Sequence, residues 1–186
     1  MIIETILSTR DEKGRPNFAP MGIEQTSDGE VTVRPFKTSC TWRNLLSDSF
    51  AVVNVVESAL PFVLSALGAP DLEAFPARKI PCRVLQTASR WLELELLARE
   101  QDDRRGKYRF RIVHEEGLRF FGGYNRARCA LVETAIAATR IHVSGMDSFW
   151  REFSRAAMLV EKTGGEEERK ALLILEKWSE GFRENL

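Results

Sequence analysis

The chain has 186 residues, 27 Lys+Arg against 27 Asp+Glu and therefore no formal net charge, with 44% hydrophobic residues. That length can bury a full core and fits one domain, or one domain with a helical appendage. The charge balance argues against a general nucleic-acid binder, and the widely spaced Cys40, Cys82 and Cys129 offer neither a disulfide framework nor zinc-ligand spacing.

Residues 2–9 are rich in β-branched side chains, and the turn cluster at 11–16 predicts a hairpin whose second strand is 17–25. A further turn at 27–30 leads into 31–33, so the opening reads as a three-stranded antiparallel meander. Thr38 or Ser39 is an N-cap for a short helix reaching Leu46. Residues 50–56 are apolar except for Asn54, the pattern of a strand buried on both faces. Residues 59–67 predict a short helix ended by Gly68 and Pro70, followed by a loop over 71–77. Three more strands are expected at 82–89, 91–100 and 107–114, with the charged 101–106 as the tip between the last two. The strict alternation over 91–96 predicts one wet face.

Beyond residue 120 the period becomes helical. Ala127, Ala130, Leu131, Thr134, Ala135, Ala138 and Ile141 share one face; Phe149, Phe153, Ala156, Ala157 and Val160 share another. After Gly164-Gly165, Glu166 to Glu168 suit the first turn of a third helix, whose stripe is Leu172, Leu175, Trp178, Ser179 and Phe182. The fold class is α+β, a mostly antiparallel β-domain over 1–120 followed by a helical subdomain over 121–186. The N-terminus lacks the basic and apolar regions of a signal peptide, and the apolar run at 59–68 is too short to span a bilayer. A soluble, cytoplasmic protein with no membrane or nucleic-acid partner is the expectation.

Residues 34–45 concentrate chemistry where a strand gives way to a helix. Arg34 and Lys37 supply cations, while Thr38, Ser39 and Thr41 supply hydroxyls and backbone donors, and Asn44 is placed to brace the loop. A helix N-terminus carries unpaired N–H groups and partial positive charge, so this pattern suits a phosphate; an ordinary capped helix with a basic surface patch fits it as well. On the adjoining strand, Ala19, Pro20, Met21 and Gly22 would let a flat ligand approach the backbone, or would form a bulge. At 119–126, Phe120 and Phe121 lead through Gly122-Gly123 to Asn125 and Arg126 at a helix start. That arrangement could cover a planar heterocycle and meet a second anion, or form a core Phe pair beside a surface arginine. Glu133 and Arg140 lie on one helix side and read as an ion-pair network. His114 and His142 have no partner at metal-ligand spacing, so no metal is expected. No GxSxG, Walker or GxGxxG motif is present.

The opening 2–6, the run 19–22, the stretch from Arg34 through Lys37-Thr38 to Asn44-Leu45, and Asn54 in its apolar strand resemble the DUF447 family. So does Phe121-Gly-Gly-Tyr-Asn125-Arg126-Ala127 followed by Glu133 and Ala138-Thr139-Arg140. The resemblance covers nearly the whole chain and implies an FMN-binding split β-barrel with the helical part packed on it, forming a homodimer with the flavin near the interface. It implies that Arg34, Lys37, Thr38, Ser39 and Thr41 hold the FMN phosphate and that Ala19 to Gly22 line the isoalloxazine. The segment from Phe121 to Arg126 would close the site. Two functions follow from it: a flavin-dependent oxidoreductase acting on a small molecule, or a non-catalytic module binding FMN or another phosphorylated or pterin-like ligand. It points to no catalytic acid or base.

Overall fold

The structure, a computed structural model, describes residues 2–26, 28–68, 72–117 and 125–183, with residues 182 and 183 in backbone only. Its contacts divide the chain into two compact units: residues 1–56 with 72–120, and 57–71 with 121–186.

The first unit is a barrel. Strands β1 (Ile2–Arg10), β2 (Pro16–Gln25), β3 (Glu30–Val33), β4 (Phe50–Val56), β7 (Ala88–Gln101) and β8 (Gly106–Gly117) close in the order β1-β2-β3-β8-β7-β4. Every pairing is antiparallel. The seams are uneven. β1 and β2 pair along their length, from Ile2 opposite Glu24 to Arg10 opposite Pro16, whereas β2 meets β3 only at Ile23 to Gln25. The Pro16 to Gly22 part of β2 therefore has no β3 partner, and the barrel is split there. Inside lie Leu7, Ile23, Val31, Val33, Val53, Leu92, Leu94, Tyr108 and Phe110, alternate residues of the strands as period 2 requires, joined by Leu45 from the helix that follows β3.

The outer face of β7 departs from the sequence expectation. Glu93, read as solvent-facing, is fully buried. Its carboxylate accepts hydrogen bonds from the backbone N–H groups of Arg78 and Lys79, both at 2.7 Å. The cause is the segment read as a loop. Ala74–Pro76 is a short strand, β5, paired with β6 (Arg83–Leu85), and the run expected as one strand at 82–89 turns at 86–87 before β7 begins. Phe75, Ile80, Cys82 and Val84 from this flap cluster with Val52 and Trp91, covering the outside of β4 and β7. Burial pushes the Cys82 thiol up to about 12. Asn54 ties flap to barrel: its Nδ2 donates to Ile6 O at 2.9 Å, and its Oδ1 accepts from Leu85 N at 2.8 Å.

The second unit holds α2 (Leu60–Ala66), α3 (Arg126–Thr139), α4 (Ile141–Thr163) and α5 (Glu166–Arg183). Although α2 interrupts the barrel in sequence, Ala59 and Val63 join the helical core with Leu131, Phe149, Val160 and Leu175. Helix α4 breaks at Gly145, whose φ of 75° suits glycine alone. Asn125 caps α3 by accepting from Arg128 N at 3.1 Å. At the start of α5, Glu168 reaches back to Gly165 N at 2.8 Å and to Arg128 Nε at 2.9 Å, a capping-box geometry. Among the described residues no ion pair joins Glu133 to Arg140. No described helix is long and apolar enough to cross a membrane.

Candidate site at the start of the first helix

Helix α1 (Cys40–Ser47) follows β3 across the short linker 34–39. Ser39 is its N-cap, its Oγ accepting from Trp42 N at 3.1 Å and donating to Phe36 O at 2.7 Å. The Ser39 N–H also bonds Phe36 O. The serine's own donors are thus spent on forming the turn. Its carbonyl takes the first helical bond from Arg43 N, which leaves the N–H groups of Cys40 and Thr41 as the open donors of the first turn.

The linker is pinned to a part of the chain some seventy residues away. Lys37 N donates to Arg104 O at 3.1 Å, and Gly106 N donates to Pro35 O at 3.0 Å. Phe36 forms an isolated bridge with Arg105, whose guanidinium lies 4.0 Å from the Phe36 ring centroid. The β7–β8 tip therefore brings Arg104 and Arg105 beside Arg34 and Lys37. Asp102 shapes that tip by accepting from the N–H groups of Arg105 and Arg104. Those two bonds, with the nearby charges of Lys37 and Arg105, hold its carboxyl below the usual range. Arg34 itself is exposed and sits 3.7 Å from Glu24. Gly106 allows this approach: a Cβ there would stand 2.4 Å from Tyr108 Cε2 and 2.9 Å from Trp42 Cδ1.

The remaining residues named from sequence fall into three groups. Thr41 is buried, its hydroxyl accepting from Asn17 of β2 at 3.4 Å; Thr38 is exposed. Ala19, Pro20, Met21 and Gly22 lie on the half of β2 that β3 leaves unpaired, opposite Leu7, Ile6, Thr5 and Glu4 of β1. The Asn17 contact connects this half-strand to α1. Asn125 and Arg126 belong to the second unit, at the head of α3, and Phe121 lies outside the described residues. Among the described residues no group of His, Cys, Asp and Glu is arranged to hold a metal ion.

Sequence reasoning missed Arg104 and Arg105 because it read 101–106 only as a charged tip. Nothing local reveals where a hairpin tip lands.

Two family models match the chain in succession, the N-terminal domain of a protein of unknown function (DUF447) over residues 3–119 and its C-terminal counterpart over 125–177. The chain belongs to the DUF447 family. This DUF447 chain is 26% identical to the uncharacterized protein MJ1453 of Methanocaldococcus jannaschii, covering 94% of itself and 96% of the relative. It is similar in structure to the FMN-bound DUF447 protein MM1853 of Methanosarcina mazei, with a TM-score of 0.81 at 27% identity, covering 95% of this chain and 94% of that one. The Pseudomonas fluorescens 2-nitrobenzoate 2-nitroreductase NbaA shares the barrel fold, at 17% identity and a TM-score of 0.54 over 62% of this chain and 64% of its own. So does an FMN-binding protein of Thermus thermophilus, at 18% identity and 0.53 over 62% and 70%. The split-barrel class and the trailing helices expected from sequence are what the structure has.

Proposed function

We propose that this DUF447 protein binds FMN through the start of α1 and uses it as a homodimeric, cytoplasmic oxidoreductase acting on a small molecule. The observation that carries the reading is the linker itself. Open N–H groups at Cys40 and Thr41 stand at a helix N-terminus whose approach holds Arg34 and Lys37, with Arg104 and Arg105 fixed alongside by backbone bonds. Such a set suits a phosphate monoester: amides and helix polarity for the oxygens, arginine forks and a lysine point charge for the net charge. The half-strand from Ala19 to Gly22, free of β3, is where a planar ring can lie against backbone. The likeness to an FMN-bound relative over nearly the whole chain supports the same ligand.

FMN, when bound, supplies hydride and electron chemistry. The chain's own part is to bind the phosphate and to set the ring against β2. Exposed Ile2, Leu46 and Leu97 on the barrel unit are apolar surface that a second subunit would cover.

The test is direct. Purified protein is expected to bind FMN with a protein-bound flavin spectrum, and Arg34→Ala with Lys37→Ala together to abolish binding in titration. Bleaching of the bound flavin on addition of NADH or NADPH, with turnover, would establish the oxidoreductase. A wild-type protein that takes up no FMN would refute the reading.

A further inference from the structure

A cleft of about 590 Å3 runs between the β1–β2 hairpin and the side of α1, sharing only Cys40 with the phosphate site. Its walls include Arg15 and Asn17 from the hairpin and Cys40, Arg43, Asn44 and Ser47, one face of the helix at helical spacing. The phosphate linker is instead tied to the β7–β8 tip through Pro35, Phe36 and Lys37, none of which lines this cleft.

The polar groups of the cleft are arranged by what lies beneath them. Asn44, 8% exposed, donates its Nδ2 to the buried Thr9 hydroxyl at 3.0 Å. Asn17 donates its Nδ2 to Thr9 and Thr41, both at 3.4 Å. Both amides thus spend donors inward, and the Oδ1 atoms of Asn17 and Asn44 have no partner among the described residues. An amide oxygen accepts only, so the floor calls for a ligand with hydroxyl or N–H donors. The rim is mixed in charge, with Lys13, Arg15 and Arg43 against Asp11 and Glu12, and so carries a small cationic excess. Among the described residues the Arg43 guanidinium has one partner, the Cys40 thiol at 3.0 Å, a weak acceptor that leaves most of its fork open. Arg15 is held by Asp11, whose carboxylate is itself engaged by the N–H groups of Arg15 and Lys13. The size is that of a small-molecule site.

The geometry points to this cleft as a second binding site, for a hydroxylated organic anion: a compact polyol or sugar acid with a phosphate or carboxylate at one end. The anion meets Arg43 and Arg15; the hydroxyls donate to Asn17 and Asn44. The inference does not depend on the flavin reading.

The experiment is calorimetric titration of full-length protein, with and without FMN, using ribose 5-phosphate and gluconate as probes for the two anionic heads. Binding of at least one probe is expected in both forms. Arg43→Gln, an exposed change, should weaken it about tenfold or more, the loss of one charge-assisted contact. Asn17→Ala should weaken it less, and in Arg43→Gln FMN affinity should stay within about twofold. Failure of both probes to bind, or probe affinity unchanged in both variants, overturns the inference while leaving FMN binding intact. A parallel loss of FMN affinity in Arg43→Gln also overturns it, since the cleft would then belong to the flavin. Probe binding that needs Arg43 in a protein that refuses FMN would uphold the second site and defeat the flavin reading alone.

Discussion

Ser39 allows the helix cap and the anion site to be separated by a single substitution. Aspartate is as good an N-cap as serine, so Ser39→Asp keeps an oxygen in place to accept from Trp42 N, now 3.1 Å from the serine Oγ. It also sets a full negative charge at the mouth of the first turn. A phosphate bound to the open N–H groups of Cys40 and Thr41 would lie about 5 Å from it, where the Coulomb repulsion is about 1 kcal/mol per unit charge in water and about 3 kcal/mol at an effective dielectric of about 20. FMN affinity should therefore fall roughly 5- to 150-fold, and the loss should shrink in high salt. Ser39→Ala makes the opposite trade, losing about 1 kcal/mol of capping while adding no charge. The assay is quenching of flavin fluorescence, run in parallel with FMN and riboflavin, beside a thermal melt. Ser39→Asp keeps the cap but loses the hydroxyl's bond to Phe36 O, so it should melt slightly below wild type, bind riboflavin like wild type, and yet discriminate against FMN. Equal loss of both flavins, or undiminished FMN binding, would refute a phosphate at this helix start.

The other predictions concern the supports of the site. Gly106→Ala must push a Cβ into the buried Tyr108 ring and Trp42, so it should cost about 1–3 kcal/mol in urea unfolding and weaken FMN through displacement of α1; a neutral result would show that the tip and helix are not in contact. Glu93→Ala strips two backbone N–H groups of their acceptor and should cost about 3 kcal/mol, with faster proteolysis near Arg78; unchanged cleavage would remove its role as anchor of the flap. At Glu168, burial works to raise the carboxyl, but the bonds from Arg128 and Gly165 outweigh it and hold it below its ordinary 4.5. A depressed carboxyl stabilises the fold above its unfolded value, and the contribution is lost as pH falls through the folded one. The stability gap between wild type and Glu168→Gln should accordingly be present near neutrality, narrow below pH 4.5 and close in stronger acid; a gap that persists unchanged in acid would contradict it.

The sequence by itself determined the local elements. The β-branched run of 2–9 with the turn cluster that pairs it to 17–25, the apolar run of 50–56, the Ser39 cap and the three long helices all appear in the structure as β1, β2, β4, α1, α3, α4 and α5, except that Ile141 opens α4 instead of closing the stripe of α3. These are properties of neighbours in the chain, where period and capping chemistry act directly. It also placed Arg34, Lys37 and Thr38 at a helix approach, because strand end and helix start adjoin in sequence.

The tertiary structure alone decided what covers each face and which distant groups meet. Period 2 marks Leu92 and Leu94 as one side of β7 and Trp91 and Glu93 as the other, but only the flap folding over the outer face makes Glu93 a buried acceptor. The same holds for Arg104 and Arg105 at the linker, and for Asn17 and Arg43 across the cleft. Each pairing is set by strand register and helix docking, which depend on burying the whole core at once, and no local window contains that information.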